Sequence, residues 1–544
     1  MSSDPSDPTR PAASEAEVAA EAAPRAVGPA SVPPLRLAVP PEALPRLRRH
    51  PLLHALTRDR PSRQTLRLAY FDTADLDLAR EGLALRLRRV GRHRVQTLEQ
   101  LGGTGPALAA LESLVPGDAP DLGRIPDLAQ RDRLLERVGG EPLVLAFEVD
   151  LTRFRRTLHE DGNELRCDLE LGEIRSRAGA LPVCELVLAH RAGDPGHPHQ
   201  LALELLESVA LRPCALGLAE RGYAQLAGKP PAARKAARGR SSPDTTLEAL
   251  LVAVVEACLE QVVANEPAAM ACLDPEGVHQ LRVGLRRLRS ALAFFGSVVP
   301  AAQRDALRSE LRWLGGELGP ARDLDVFVDE LLPSLFAARP DDASLERLRE
   351  AAESARAERH ARVRDALGST RYARLVLVVG RWLARRAWRE QPTSERSAAL
   401  FQPARTWAAA LLERRHRKAR KLGRHLAAAS PAERHRLRIR LKKLRYAAEF
   451  SRGLFGLRKA DRYARRLANL QDALGRMNDA ASGERLLAEL MARTGDEEVL
   501  RAGGFAAGWI AHALHREEHD LAALWERFED VARFWPRPDE EHDR

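Results

Sequence analysis

A short stretch of the sequence places one histidine and several arginines three and four residues apart. In HQLRVGLRRLR, which begins at His279, the side chains of Arg282, Arg286 and Arg289 share an arc of about 80° with the histidine on a helix, since each residue turns the helix by about 100°. A row of leucines that begins at Leu281 lies directly beside this arc. A purely solubilising face would lie opposite the apolar row. The spacing therefore favours a basic stripe that lines a groove or a cavity.

A basic stripe of this kind is also typical of a solvated helix face whose charges are paired locally. Acidic partners are scarce here, because residues 414–445 contain fourteen Lys and Arg but one acidic residue, Glu433. Cations gathered beside an apolar wall repel one another unless an anion neutralises them. We therefore predict an anion-binding site.

The residue types favour phosphate as the anion. Arginine outnumbers lysine in these stretches, and its planar guanidinium binds two phosphate oxygens at once. A histidine that titrates near neutral pH gains charge beside a phosphate. Recognition of nucleic-acid bases is less favoured, because few aromatic side chains are interleaved with the basic ones to stack on bases.

The basic helix sequence occurs twice. PEGVHQLRVGLRRLR from Pro275 aligns with PAERHRLRIRLKKLR from Pro431 at an offset of 156 residues, and the register continues without a gap into LGPARDLD and LGRMNDAA. The offset pairs His279 with His435, Arg282 with Arg438, Arg286 with Lys442, Arg287 with Lys443, Arg289 with Arg445, Gly319 with Gly475, Arg322 with Asn478, and Asp323 with Asp479. Two similar halves in one chain predict two helical bundles related by a pseudo-twofold axis.

Apolar periodicity divides the chain into a strand-rich part and a helical part. Short alternating runs punctuated by Gly, Asp and Pro predict antiparallel strands over residues 33–228. Helical spacing dominates residues 244–535, and a linker rich in Pro, Ala and Arg, residues 229–243, separates the two parts. Residues 1–32 and 536–544 are predicted to be tails, the first of them disordered. The predicted fold class is therefore a multidomain α+β protein.

The composition is that of a soluble globular protein with a basic surface. Of the 544 residues 44% are hydrophobic and 30% are charged, and the formal net charge of +10 leads us to expect an acidic partner. No apolar run approaches the roughly 18 residues that a membrane span needs, and the first thirty residues lack the apolar run of a signal peptide. The five cysteines have no CxxC spacing, so we expect neither disulfides nor a zinc site in a cytoplasmic protein.

Three motifs of the helical part resemble the CHAD family, the conserved-histidine α-helical domain. They are HxxRVxxRRxR at His279, RDLDVF at Arg322 and HxxRIxxKKxRY ending at Tyr446, and the resemblance covers about residues 241–534. It implies an all-helical domain of two four-helix bundles whose basic inner surface binds inorganic polyphosphate. The residues that it implies for this surface are His279, Arg282, Arg286, Arg287, Arg289, Arg322, Arg371, His435, Arg438, Lys442, Lys443 and Arg445. Asp323 and Asp479 would orient basic side chains or cap helices.

The strand-rich part resembles the CYTH family of triphosphate tunnel enzymes. YFDTADLDLAREGLALRLRRVG from Tyr70 carries the resemblance, with FRRTL, LGEI, CELVL and ERGY further on, over about residues 33–228. The family implies an antiparallel β-barrel whose tunnel holds a triphosphate between basic side chains, while carboxylates hold a divalent metal ion. The residual basic residues that could line such a tunnel are Arg36, Arg86, Arg88, Arg156 and Arg221. Arg86 and Arg88 could equally be outward-facing strand residues.

The acidic positions that this family uses for metal are largely absent. The opening ExExK motif falls on VPPLR, where only the basic position survives, as Arg36. ELELE becomes ELVLA from Glu185, Glu170 stands where an acid is expected, and Glu99 and Leu218 replace lysines. Since Mg²⁺ takes oxygen ligands, usually carboxylates with phosphate, we predict no metal site and no catalytic residues. Mg²⁺ or Mn²⁺ would be a cofactor only if this domain were active.

The expected function is the binding of inorganic polyphosphate by a cytoplasmic bacterial protein, at polyphosphate granules or with their proteins. The first alternative is a metal-dependent triphosphatase, motivated by the tunnel resemblance. The second is nucleic-acid binding, motivated by the sequence pI of about 9.7 and the run RRHRKARKLGRH. No membrane partner is expected.

Overall fold

The structure, a computed structural model, describes residues 33–90, 93–102, 111–214, 216–228, 231–236, 241–426 and 429–536, except for the side chains of residues 516–520. It divides into two compact units, residues 1–230 and 231–544. The predicted tail 1–32, with Val32 of the VPPLR motif, lies outside the described residues. So do 537–544 of the second tail, and 229–230 and 237–240 of the predicted linker.

The first unit is built on a sheet of nine described strands. They are β1 Leu35–Ala38, β2 Ser62–Asp72, β3 Leu83–Val90, β4 His93–Gln100, β5 Leu111–Val115, β6 Val144–Glu160, β7 Asn163–Ser176, β8 Gly179–Ala192 and β9 Arg212–Pro213. Neighbouring strands are antiparallel, in the order β5-β4-β3-β2-β6-β7-β8-β1-β9. The prediction of antiparallel strands is therefore confirmed.

The predicted closure of these strands into a barrel is wrong. Within the described residues the edge strands β5 and β9 do not pair with each other, so the sheet is open. β9 is only two residues long, and one of them is Pro213, which has no backbone N–H to donate. An edge this short offers too few hydrogen bonds to hold a further strand.

In the described part of this unit, six short α-helices accompany the sheet. They are α1 Leu44–Arg48, α2 Pro51–Leu56, α3 Asp77–Arg80, α4 Leu128–Val138, α5 His197–Leu205 and α6 Leu218–Leu226. Helix α6 packs against β6 and β7. A Cβ atom on Gly222 of this helix would fall 2.2 Å from the Phe147 ring, so glycine is what permits the close approach of helix to sheet.

The described part of the second unit is helical, as predicted. Its α-helices are α7 Leu247–Ala264, α8 Glu266–Ala271, α9 Pro275–Phe294, α10 Ala301–Val326, α11 Leu332–Ala338, α12 Ala343–Gly368, α13 Thr370–Ala384, α14 Glu395–Ala398, α15 Ala404–Gly423, α16 Pro431–Ser451, α17 Leu457–Arg493 and α18 Glu497–Glu529. Among the helices that the structure describes, none combines the length and the apolar character needed to cross a bilayer.

Among the described helices, four of the first sequence repeat have a counterpart at a similar offset in the second. α7 and α15 begin 157 residues apart, α9 and α16 begin 156 apart, α10 and α17 begin 156 apart, and α12 and α18 begin 154 apart. Helix α7 packs against α9, and α15 packs against α16 in the same way. The repeat in the sequence is thus a repeat of helices.

The two histidine-bearing helices begin where their capping residues predict. The carboxylate of Asp274 accepts a 2.8 Å hydrogen bond from the backbone N–H of Glu276 at the start of α9. Ser430 and Glu433 form a capping box at the start of α16. A proline occupies the first position of each helix, where a missing N–H costs nothing. These local signals set where each basic stripe starts.

Candidate functional site

Helix α9 presents its basic residues on the shoulder of its buried face. The leucine row that begins at Leu281 is at most 2% exposed and packs in the main core of the helical unit. His279 and Arg282 are partly buried and Arg286 is exposed. The basic stripe therefore lies where the core meets solvent, next to the buried row.

The two histidine-bearing helices pack against each other. Arg286 Nε on α9 donates a 2.7 Å hydrogen bond to the hydroxyl oxygen of Tyr446 on α16. The pKa values of Arg438 and Lys442 on α16 are lowered by burial and by the charge of Arg286, so these cations lie close together. We call the basic residues that interact in this way the inner cluster: His279, Arg282, Arg286, Arg322, Arg438 and Lys442.

Burial and mutual repulsion lower the pKa values of several side chains in the inner cluster. At Lys442 burial is the largest cause, and with the charges of Arg286 and Arg438 it lowers the pKa to about 7. Burial and the charge of Arg322 lower the pKa of His279. The protonated forms of these side chains are thus held at a free-energy cost that a bound anion would relieve.

Arg282 and Arg438 each reach the next helix of their own repeat, but through different contacts. Arg282 extends over Gly319 of α10, where a Cβ atom would lie 3.1 Å from Arg282 Nη1. Arg438 Nη1 donates a 3.0 Å hydrogen bond to Asn478 Oδ1 of α17. Arg438 Nε is buried and has no hydrogen-bond acceptor among the described residues. Both guanidinium groups are therefore positioned by the protein while keeping unused donor capacity.

Each repeat places an aspartate at the same aligned position beside this cluster. Burial raises the pKa of Asp323, against the opposing charges of Arg282 and Arg485. Asp479 is exposed and attracts Arg438. Neither aspartate lies at the N-terminus of its helix. Of the two roles left open by the sequence, this placement favours orientation of basic side chains over helix capping.

Two of the predicted phosphate-binding residues are held by protein groups instead. Arg287 Nη1 donates a 2.7 Å hydrogen bond to the buried Gln261 Oε1 on α7. Arg445 Nε donates a 2.8 Å hydrogen bond to Glu449 Oε1, one turn further along α16. Both side chains are bound by other groups of the protein and are therefore less free to meet a ligand.

The two predicted residues that lie outside the histidine-bearing helices differ in whether they join the inner cluster. Arg371 is exposed, donates hydrogen bonds of 2.7 and 3.1 Å to Glu310, and lies over the Trp313 ring at 4.2 Å. Its charge is thereby neutralised away from the inner cluster. Arg322 is 3.6 Å from Glu330 and also lowers the pKa of His279, so it joins the inner cluster.

The structure does not bring the remaining three predicted residues into the inner cluster. Arg289 interacts with Arg312 and Arg308, which do not belong to the inner cluster: burial, and then repulsion from these two arginines, lowers the pKa of Arg289. Lys443 lines a separate basic pocket. His435 is exposed, whereas its repeat partner His279 is partly buried. The two copies of the basic stripe are therefore alike in sequence but not in surroundings.

In the first unit the buried carboxylates are bound by arginines. Arg36 Nη1 donates to Glu170 Oε2 at 3.3 Å and to Glu185 Oε2 at 3.0 Å. Glu170 accepts two more hydrogen bonds from Arg153, at 2.9 and 2.6 Å, and Glu185 accepts another from Arg221. Both glutamates are 1% exposed. The carboxylates are thus neutralised by the protein itself.

The other residual tunnel residues also have protein neighbours. Arg86 pairs with Glu99 at 3.4 Å, the acid that stands where the CYTH family has a lysine. Arg156 Nη2 donates to the backbone carbonyl of Arg48 at 3.4 Å, and Arg88 is partly exposed on β3. These contacts are arginine–acceptor pairs, unlike the row of unpaired cations expected in a triphosphate tunnel.

Family models match both units. A CYTH domain model matches residues 35–223, and a CHAD domain model matches residues 253–488. The solved structure of the CHAD domain from the plant Ricinus communis is 33% identical, and the match covers 56% of this chain and 99% of that chain with a TM-score of 0.49. The chain belongs to the CHAD family. Its CHAD domain is preceded by a CYTH domain.

Two further solved structures are similar at lower identity. PptA from Streptomyces chartreusis is 20% identical, and the match covers 51% of this chain and 98% of that chain with a TM-score of 0.40. A Hippeastrum protein with a dominant triphosphatase activity is 17% identical, and the match covers 36% of this chain and 95% of that chain with a TM-score of 0.24.

Two CHAD-domain residues beside the cluster were not among the predicted site residues. Tyr446 ends the second histidine motif, and its hydroxyl oxygen is the acceptor that joins the repeats. Asn478, which the offset aligns with Arg322, accepts the hydrogen bond of Arg438. The sequence contained a signal for each, the HxxRIxxKKxRY motif for Tyr446 and the repeat alignment for Asn478, but residue type alone did not mark them as part of a basic site.

The CYTH domain does not offer the ligand set that a divalent metal ion needs. Mg²⁺ and Mn²⁺ require oxygen atoms that are free to coordinate. Glu170 and Glu185 lie opposite each other on β7 and β8, but their oxygens accept hydrogen bonds from arginines. In the part of the chain that the structure describes, no group of three or more His, Cys, Asp or Glu side chains could hold a metal ion. These residues do not fit a catalytic metal.

Proposed function

We propose that the CHAD domain binds inorganic polyphosphate through the inner cluster. The observation that supports this most strongly is that Arg282 and Arg286 from one repeat meet Arg438 and Lys442 from the other. The hydrogen bond from Arg286 to Tyr446 holds the two groups together. Cations collected in this way repel one another, and a bound polyanion stabilises them by supplying further negative charge.

A phosphate chain suits this arrangement better than a single small anion. The cations are distributed over α9, α10, α16 and their neighbours, so successive phosphoryl groups can each meet a different side chain. Guanidinium groups bind phosphate oxygens in pairs. The matching helix order supports the view that two four-helix bundles, related by a pseudo-twofold axis, both contribute to the site.

Under this proposal the protein works in the cytoplasm, at polyphosphate granules or together with their proteins. Nucleic acid is a weaker candidate. Tyr446, the aromatic side chain bonded to the inner cluster, is only 4% exposed and cannot stack on a base. The positive charge would attract nucleic acid without selecting it.

Titration of the full-length protein with polyphosphates of graded length tests the proposal. We expect the affinity per chain to rise at least about tenfold, or about 1.4 kcal/mol, from tripolyphosphate to chains of several tens of phosphates, because longer chains meet more cations. Added salt should weaken the binding. Equal affinity at all lengths, or displacement of long-chain polyphosphate by duplex DNA at equal phosphate concentration, would contradict the proposal.

We expect the CYTH domain to release no phosphate from tripolyphosphate in the presence of Mg²⁺ or Mn²⁺. The reason is that Arg36, Arg153 and Arg221 already bind the oxygens of Glu170 and Glu185. The measurement is phosphate release by the full-length protein compared with Glu185→Ala. A metal-dependent rate that the substitution removes would restore the triphosphatase alternative.

A further inference from the structure

A basic pocket that does not include the inner cluster lies in the helical unit, with a volume of about 330 Å³. The C-terminal end of α9 and the N-terminal end of α10 meet the middle parts of α15 and α16 around this pocket. Its lining includes six cations and no acidic residue: Arg304, Arg414, Arg415, Lys418, Arg440 and Lys443. Arg304 is bonded to Asp305. Within the described residues, Arg414, Lys418, Arg440 and Lys443 form no ion pair with an acid, so the pocket keeps most of its positive charge.

Arg415 is built into the wall of this pocket. Its Nη1 donates a 2.7 Å hydrogen bond to the backbone carbonyl of Lys443, and its Nη2 donates a 3.2 Å hydrogen bond to that of Ala293. Its guanidinium also lies 5.5 Å from the centre of the Phe294 ring. Burial and the charge of Arg414 lower the pKa of Arg415 to about 10. The group is fixed in position by neutral acceptors, which leave its charge uncompensated.

The other sequence repeat shows that the fold does not need cations at four of these positions. At the offset of 156 residues, Arg414, Arg415, Lys418 and Arg440 correspond to Cys258, Leu259, Val262 and Gly284. Cys258 and Val262 are at most 2% exposed, and a Cβ atom on Gly284 would lie 3.0 Å from Val262. The first repeat thus closes this position by apolar packing. The second repeat keeps it open and basic.

The pocket is separate from the inner cluster. On α16, with His435 at zero, Arg438 and Lys442 lie at about 300° and 340°, whereas Lys443 and Arg440 lie at about 80° and 140°. The buried leucine row of the helix lies between about 180° and 240°. The two basic faces of α16 therefore lie on opposite sides of the buried row. A ligand in the pocket would contact one of these faces, and a ligand at the inner cluster would contact the other.

We infer that this pocket is a second anion site, specific to the second repeat, that binds a short oligophosphate. The volume lies at the small end of the range for ligand pockets, about 300 to 1,000 Å³. The pocket's cations can neutralise the several charges of two or three linked phosphoryl groups. Phe294, the aromatic residue in the lining, is covered by Arg415 and offers no face to a base. The inference goes beyond the proposed function, because it concerns different residues.

Calorimetric titration of the full-length protein with tripolyphosphate tests this inference. The pocket variant is Arg414→Gln, Lys418→Gln and Arg440→Gln, all three exposed and therefore tolerant of substitution. The matched control is Arg458→Gln, Lys459→Gln and Arg465→Gln, exposed cations of α17 with the same loss of charge. We expect the wild type and the control to show two classes of site. The pocket variant should keep the inner-cluster site and bind at least about tenfold more weakly at the other.

A pocket variant that binds like the control variant would overturn the inference. A fourth protein, Arg282→Gln and Lys442→Gln, separates this result from the proposed function, because it should lose the inner-cluster site and keep the pocket. If it retains both sites while the pocket variant loses one, the proposed function fails and the inference stands. Circular dichroism of all four proteins checks that each remains helical.

Discussion

Replacing Arg282, Arg286, Arg438 and Lys442 together with glutamate is expected to lower the affinity for long-chain polyphosphate by more than about a thousandfold. A hydrogen bond that involves a charged group contributes roughly 1.5–3 kcal/mol, and about 1.4 kcal/mol corresponds to a tenfold change in affinity. Losing four such contacts, and adding four negative charges, should exceed 4 kcal/mol even when part of the loss is shared among neighbours. The measurement is calorimetric titration at constant ionic strength.

A matched control variant distinguishes the effect of where the charges lie from the effect of the change in net charge on the affinity. Arg362, Arg364, Arg458 and Lys459 are exposed cations of α12 and α17, and their replacement with glutamate changes the net charge by the same amount. We expect this control to bind within about tenfold of the wild type, since exposed charges interact weakly through water and salt. Full binding by a folded inner-cluster variant would show that polyphosphate binds elsewhere.

The affinity for polyphosphate is expected to fall as the pH rises above about 7. Burial and the charges of Arg286 and Arg438 lower the pKa of free Lys442 to about 7. A bound polyanion favours the protonated amine and so raises this pKa. The contribution of Lys442 to binding is therefore fully present below the pKa that its amine has in the free protein. It is lost as the pH rises through the higher pKa that this amine has in the complex. His279, whose pKa burial and Arg322 lower, contributes in the same direction at lower pH.

Proton uptake on binding provides the direct measurement. Titrations at pH 8 in buffers of different ionisation enthalpy should show protons taken up with polyphosphate, and Lys442→Met should remove most of that uptake. The same substitution should raise the Tm of the ligand-free protein at pH 7, because it removes a partly buried amine whose protonation the cluster disfavours. Lys459→Met is the control, an exposed lysine on α17. A pH-independent affinity between pH 6 and 9 would mean that Lys442 does not meet the ligand.

Local periodicity in the sequence was sufficient to predict the histidine-bearing helices and their buried faces. Asp274 and Ser430 mark the first residues of α9 and α16, and the leucine rows that begin at Leu281 and Leu437 are buried as their spacing predicts. These properties depend on residues within one helix, whose geometry repeats every 3.6 residues. Sequence comparison within the chain also located the repeat, because it needs no knowledge of packing.

The tertiary structure alone decided which cations share a site. Arg286 and Lys442 are joined in the inner cluster, whereas Arg287 is bonded to Gln261 and Lys443 faces another pocket. Helical spacing predicts which residues share a face of a helix. Which other helix packs against that face depends on contacts between segments more than a hundred residues apart. The open sheet has the same cause, since the pairing of edge strands is a long-range property that alternation within a strand does not contain.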